Sequence, residues 1–257
     1  MAEIGEGARS RSRELTGKVA LVTGGSRGVG GATARLLAER GADVVVTYRD
    51  KERRARDVVQ EISAFGGQGL AVQSDMTDEA SVTAMFGQIS ERFGHLDIVV
   101  LNASGGLEKD AASDYAMRLN RDAQLAVVEG ALPLMPEGGR IVFVTSHLAH
   151  FHGQKPVMPE YEIVASSKRA GESALRERLP ELRKAGVSLV VVSGDLIDGT
   201  VTPKLLNRMR PGVIDDRRKE AGWLPTTEDF ARAITNAAGS DLESGETIYI
   251  GSTEWSS

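Results

Sequence analysis

Residues 18–30 read Lys-Val-Ala-Leu-Val-Thr-Gly-Gly-Ser-Arg-Gly-Val-Gly, and they constrain the fold more than any other stretch. The run from Lys18 to Val22 is short, apolar and rich in valine, which reads as a buried strand. The chain then turns through Gly24 and Gly25. Ala32, Leu36, Leu37 and Ala38 follow at helical spacing, and Gly41 ends the run. A second strand comes next, Asp43-Val44-Val45-Val46-Thr47-Tyr48. A strand, a glycine turn and a helix start make an anion site: free N–H groups and the helix dipole face the ligand, and glycines let it approach the backbone. A glycine triplet alone says little; between two strands and before a helix it points to a dinucleotide.

The pattern then repeats. Residues 51–65 read as a helix, 69–74 as a strand, 78–93 as a helix and 96–101 as a strand that ends in Asn102-Ala103-Ser104-Gly105-Gly106. Residues 113–135 read as one helix, 140–145 as a strand, 161–184 as another helix and 187–192 as a strand. Residues 227–238 and 246–250 close the series as helix and strand. Such alternation predicts an α/β fold: a single Rossmann-type, doubly wound parallel sheet of about seven strands, with helices on both faces. No composition break splits off a second domain. Residues 1–15, polar and mixed in charge, read as a flexible tail before one dinucleotide-binding catalytic domain over 16–257.

Charge and composition exclude several functions. The net charge of −5 argues against nucleic acid or an anionic membrane as main partner. The chain has no cysteine, which rules out a disulfide framework and thiolate chemistry. No apolar run reaches membrane-spanning length, and the N-terminal residues lack the apolar core of a signal peptide, so a cytoplasmic protein is expected. His147, His150 and His152 lie close together, but no completing ligand set accompanies them, and no metal is expected.

Ligands of such sheets bind beyond the C-terminal strand ends, where this chain places a band of polar residues. At those ends it resembles the short-chain dehydrogenase/reductase family. Thr23-Gly24-x-x-x-Gly28-x-Gly30 matches the family's cofactor turn, and Asp75 its adenine-side acid. Asn102-Ala103 sits where the family has Asn-Asn-Ala-Gly, with Leu101 and Ser104 as departures. Asn120, Ser146 and Lys168 match three of its four catalytic residues. Ser193-Gly194 with Ile197 and Thr200 is similar to its Pro-Gly-x-Ile-x-Thr segment, with one residue added. The likeness runs over residues 15–251. It implies cofactor contacts from Thr23, Gly24, Ser26, Arg27, Gly28, Val29 and Gly30 in the turn, and from Tyr48, Arg49, Asp75, Met76, Asn102 and Ala103. Lys168, Gly194, Ile197 and Thr200 complete that set. It further implies that residues 202–224 cover the substrate, and that the protein is a homodimer or homotetramer.

Cofactor choice turns on the end of the second strand. An acid there binds a ribose 2′-hydroxyl and repels a 2′-phosphate. Here the strand ends Thr47-Tyr48-Arg49, with Asp50 one place later, and Arg27 lies inside the turn. Two arginines favour NADP(H) over NAD(H).

One departure bears on the reaction. Four residues before Lys168, where the family carries its catalytic tyrosine, stands Val164; the nearest tyrosine is Tyr161, seven residues before the lysine. On a helix these two share a face, about 10 Å apart along the axis instead of about 6 Å. Tyrosine, six residues and lysine, with Asn-Ala-Ser-Gly after the fourth strand, resembles the type III enoyl-acyl-carrier-protein reductase branch. In conjugate reduction hydride goes to the β-carbon while the polarised carbonyl lies two carbons away, which suits a displaced acid. Tyr161, Ser146, Lys168 and Asn120 are therefore the expected catalytic set. The expected activity is hydride transfer to a polarised double bond, leaning to the C=C of an α,β-unsaturated thioester or enone on a small or carrier-linked molecule. The alternatives are carbonyl reduction by a ketoreductase and, further off, a catalytically silent NADPH sensor. His147, beside Ser146, is a minor candidate acid.

Overall fold

The structure is a computed structural model that describes residues 13–108 and 111–254. Seven strands form one sheet: β1 (Val19–Val22), β2 (Asp43–Tyr48), β3 (Gly69–Gln73), β4 (Ile98–Leu101), β5 (Arg140–Ser146), β6 (Ser188–Gly194) and β7 (Thr247–Ile250). Their order is β3-β2-β1-β4-β5-β6-β7 and every pairing is parallel, from Val19 opposite Asp43 to Gly194 opposite Ile250. Parallel strands are buried on both faces, hence their continuous apolar text.

Successive side chains alternate between two cores. Val19, Leu21, Val99, Leu101, Ile141, Phe143, Leu189 and Val191 meet α3 (Glu79–Phe93), α4 (Ala123–Ala131), α6 (Glu162–Glu177) and α7 (Leu179–Lys184). Ala20, Val22, Val44, Val46, Val100, Val142, Val190 and Val192 meet α1 (Gly28–Glu39), α2 (Glu52–Ala64) and α10 (Thr227–Ala238). A third, smaller core lies beyond the sheet's C-terminal edge. There α8 (Val201–Met209) and α9 (Val213–Ala221) place Leu206, Val213 and Ile214 against Leu148, Tyr161 and Val164.

The two long helices expected at 113–135 and 161–184 are both interrupted. The first is a turn at Tyr115–Met117, a π-helical turn at Arg118–Asp122, then α4 and a 3₁₀ turn at Leu132–Leu134. Tertiary contact accompanies the π turn: a Cβ on Gly171 of α6 would lie 2.0 Å from the Asn120 carbonyl oxygen, so the two backbones touch. The second breaks at Arg178, because Pro180 near the start of α7 cannot donate a helical hydrogen bond. Tyr161 lies before α6, in a 3₁₀ turn at Pro159–Tyr161. A short helix absent from the expectation, α5 (His147–His150), directly follows β5.

Residues 1–12 of the expected tail fall outside the described residues. Residues 13–15 are docked: Leu15 is buried, its N–H donates to the Arg40 carbonyl at 2.9 Å, and Glu14 pairs with Arg40 at 3.0 Å.

Candidate active site

The sheet order reverses between β1 and β4, and a cleft of about 690 Å³ opens there above the strand ends. Its floor is the turn between β1 and α1. Gly24 and Gly28 hold φ of +64° and +54°, which favours glycine, and a Cβ on Gly30 would meet the Asn102 side chain at 2.5 Å. Arg27 occupies the N-cap of α1, no side chain caps that helix, and its first turn carries no acid. The donors at this helix start are thus left to a ligand, as an incoming pyrophosphate requires. Beside Gly28 there is nothing within 4 Å of where a side chain would begin, so the cradle is open.

Of the expected cofactor residues, Gly24, Ser26, Arg27, Gly28, Val29, Gly30, Tyr48, Arg49, Asp75, Met76, Asn102, Ala103, Lys168, Gly194, Ile197 and Thr200 line this cleft. Thr23 does not. It is buried, and its hydroxyl donates to the Val100 carbonyl while accepting from the N–H groups of Asn102 and Ala103 at 3.0 Å. Thr23 therefore pins the end of β4 to the turn. Asn102 reinforces the joint, donating from its amide to the Thr23 carbonyl at 2.9 Å.

Around the end of β2 the cleft is basic. Arg27, Arg49, Lys51 and Arg54 line it alongside Asp50 and Asp75. Lys51 and Arg54 escaped the sequence reading; their signal is position alone, at the entry to α2 just beyond the strand that should face the ribose.

At the other end of the cleft lie Ser146, Tyr161 and Lys168. Ser146 ends β5 and caps α5, accepting from the Ala149 N–H at 3.4 Å, and its Oγ is 3.4 Å from the Tyr161 hydroxyl. The helix-cap role and the site role thus fall on one hydroxyl. Burial raises the Tyr161 hydroxyl above its ordinary value, against the opposing pull of the Ser146 contact. Burial also depresses the Lys168 ammonium to about 8, with the Glu172 carboxylate one turn away opposing it. Val164, at the position of the family's usual tyrosine, is buried against Gly106.

Asn120 is buried beside the site and outside the cleft wall. Its amide donates to the Gly105 carbonyl at 2.8 Å and the Ser167 hydroxyl at 2.9 Å, and its carbonyl oxygen accepts from the Gly105 N–H at 3.2 Å. It joins the loop after β4 to the helix bearing Lys168. His147, the minor candidate acid, does not line this cleft. It is fully buried, its Nδ1 is 2.8 Å from the Ser193 hydroxyl, and burial, with His150 and Arg217 nearby, lowers it to about 4. The three histidines part company, with His150 on Glu172 at 2.9 Å and His152 on Glu162 at 2.7 Å. Among the described residues no group of metal-ligating side chains forms.

The cover over this end is α8 and α9. Arg217 of α9, nearly fully buried, forks onto Asp195 beyond β6 with contacts of 2.6 and 3.0 Å. It also donates to the carbonyls of Ser252 and Glu254 at 3.0 and 2.9 Å. Arg218 pairs with Asp215 and Asp198. Arg217 is therefore spent inside the protein, whereas Arg218 forms its pairs at the surface.

An open anion cradle at a switch point, facing a serine, tyrosine and lysine along one cleft, defines a dinucleotide-dependent oxidoreductase. A model of short chain dehydrogenase matches residues 18–210, and the chain belongs to that family. It is 40% identical over 258 residues to the hydroxynaphthalene reductase-like protein Arp2 of Metarhizium robertsii, covering 93% of this chain and 95% of the other. It is 35% identical over 245 residues to 1-cyclohexenylcarbonyl-CoA reductase of Streptomyces collinus, covering 91% and 85%. A short chain dehydrogenase from Burkholderia cenocepacia, solved in complex with NADP, superposes with a TM-score of 0.80 at 31% identity over 92% of this chain and 97% of that one.

Proposed function

We propose that this chain is an NADPH-dependent reductase that delivers hydride to the C=C of an α,β-unsaturated thioester or enone. The observation that carries the reading is the pairing of Ser146 and Tyr161, 3.4 Å apart in the same cleft as Lys168, although Tyr161 stands seven residues from the lysine. The basic end of the cleft suits a 2′-phosphate, and the Burkholderia relative holds NADP. The Streptomyces relative's name describes a conjugated thioester.

The bound dinucleotide supplies the hydride; the residues here handle charge and protons. As hydride reaches the β-carbon, negative charge grows on the carbonyl oxygen two carbons away. Tyr161 and Ser146 donate hydrogen bonds to that oxygen and the Lys168 ammonium favours its charge; Tyr161 then gives its proton to the enolate oxygen, and the enol tautomerises so that the α-carbon gains the hydrogen that completes the saturated product. A neutral Tyr161, kept protonated by burial, is the form such a donor needs. Carbonyl reduction uses the same two donors on a nearer oxygen, and the Arp2 name supports that second reading. The enzyme is proposed to work on small or carrier-linked molecules, as a cytoplasmic homodimer or homotetramer. Among the described residues no helix is long and apolar enough to cross a membrane.

The test is NADPH oxidation with a short trans-enoyl thioester and the matching β-keto thioester, in wild type and Tyr161→Phe. Enoyl turnover that falls about a hundredfold in the variant is expected. Turnover on the keto thioester alone overturns conjugate reduction, and tight NADPH binding with no turnover on any acceptor makes the protein a sensor.

A further inference from the structure

Tyr115 opens the helical segment after β4, and no motif above includes it. Its ring packs against the core, and its hydroxyl accepts a hydrogen bond from Arg49 Nη1 at 2.8 Å, joining residues 66 positions apart. Both side chains line the cleft, Arg49 from just after β2 and Tyr115 from the helical segment after β4. Arg49 is held elsewhere too: its Nε donates to Asp50 at 3.0 Å, and Gln73 donates to its carbonyl at 2.9 Å.

We propose that Tyr115 is a specificity-determining residue, which holds the Arg49 guanidinium in place for a 2′-phosphate and so sets the preference for NADP(H) over NAD(H). This rests on the cofactor reading above.

The physical argument is one of prior ordering. Arg49 is 49% exposed in its side chain, and a free arginine there would lose rotamer freedom on gripping a ligand. Asp50 and Tyr115 fix it beforehand, so less is lost on binding. The guanidinium has five N–H groups; these two contacts use one each, and Nη2 remains for a phosphate oxygen. A phenol suits the cleft side better than a carboxylate would, since it accepts a hydrogen bond without repelling the phosphate. Burial and the nearby Glu108 carboxylate push the Tyr115 hydroxyl above its ordinary range, so it stays neutral.

The experiment is a fluorescence titration of NADPH and NADH, with no acceptor present, on wild type, Arg49→Ala, Tyr115→Phe and the double variant. Wild type should prefer NADPH. Tyr115→Phe should weaken NADPH binding about tenfold, the size of one hydrogen bond to a charged group, and leave NADH within about twofold. In the Arg49→Ala background the same change should add nothing. Equal weakening of both dinucleotides would make Tyr115 an ordinary adenosine contact and overturn the inference, as would a loss that persists without Arg49. A preference that Tyr115→Phe leaves undiminished overturns the inference alone, whereas a wild type that binds both equally overturns the cofactor reading and the inference with it.

Discussion

Lys168 is nearly buried at the base of the cleft, and its ammonium is depressed to about 8. Below that pH it carries the positive charge that the proposed mechanism uses; above it the charge is lost. The pH profile of kcat/KM is therefore expected to fall on its alkaline limb near pH 8. In Lys168→Arg, where the side chain cannot deprotonate, that limb should move out of range. A limb that stays put belongs to another group. Residue identities at this site were readable because they fall at fixed places in a βα series: the turn glycines, Ser146 after its strand, Lys168 on its helix. Tyr161 was readable only as the nearest tyrosine; its meeting with Ser146 depends on the 3₁₀ turn that swings it in. The neutrality of His147 was not readable, because burial against Ser193 comes from packing β5 on β6.

Elements were legible where local pattern and tertiary demand agree, as in α1, whose glycine start and apolar face both face ligand and core. They were less legible where a neighbour reshapes the backbone. Nothing in the residues 118–122 announces a π turn; it accompanies the close approach of Gly171, a position sequence alone treats as a weak helix residue. In α8 and α9 the charged text hides the stripe of Leu206, Val213 and Ile214 that builds the third core. Gly171→Ala should force α6 away from Asn120, since the added methyl would sit 2.0 Å from its carbonyl oxygen. A loss of about 3 kcal/mol in chemical denaturation is expected, more than the few tenths to 1 kcal/mol that alanine normally returns to a helix. A variant as stable as wild type would show that the two helices can slide apart freely.

At the scale of the whole molecule, one buried pair ties three distant regions together. Arg217 joins the cover to Asp195 beyond β6 and to the carbonyls of Ser252 and Glu254. Arg217→Met leaves the buried Asp195 carboxylate without its counter-charge, held only by the Leu196 N–H at 2.7 Å, and is expected to lower stability by about 3–5 kcal/mol. Adding Asp195→Asn, which removes that charge, should recover part of the loss in the same denaturant titration. If Arg217→Met costs nothing, the cover is held by its apolar core alone.

The sheet order gives this tie a consequence in time. Strands β1 to β4 form a contiguous half of the sheet in the order β3-β2-β1-β4, and they carry the turn, Arg49 and Asn102. The carbonyls that Arg217 grips come from residues after β7. As the chain emerges from the ribosome, from its N-terminal end onward, the nucleotide cradle can assemble early. The cover over the reacting end cannot be fastened until the last strand has been made and threaded home.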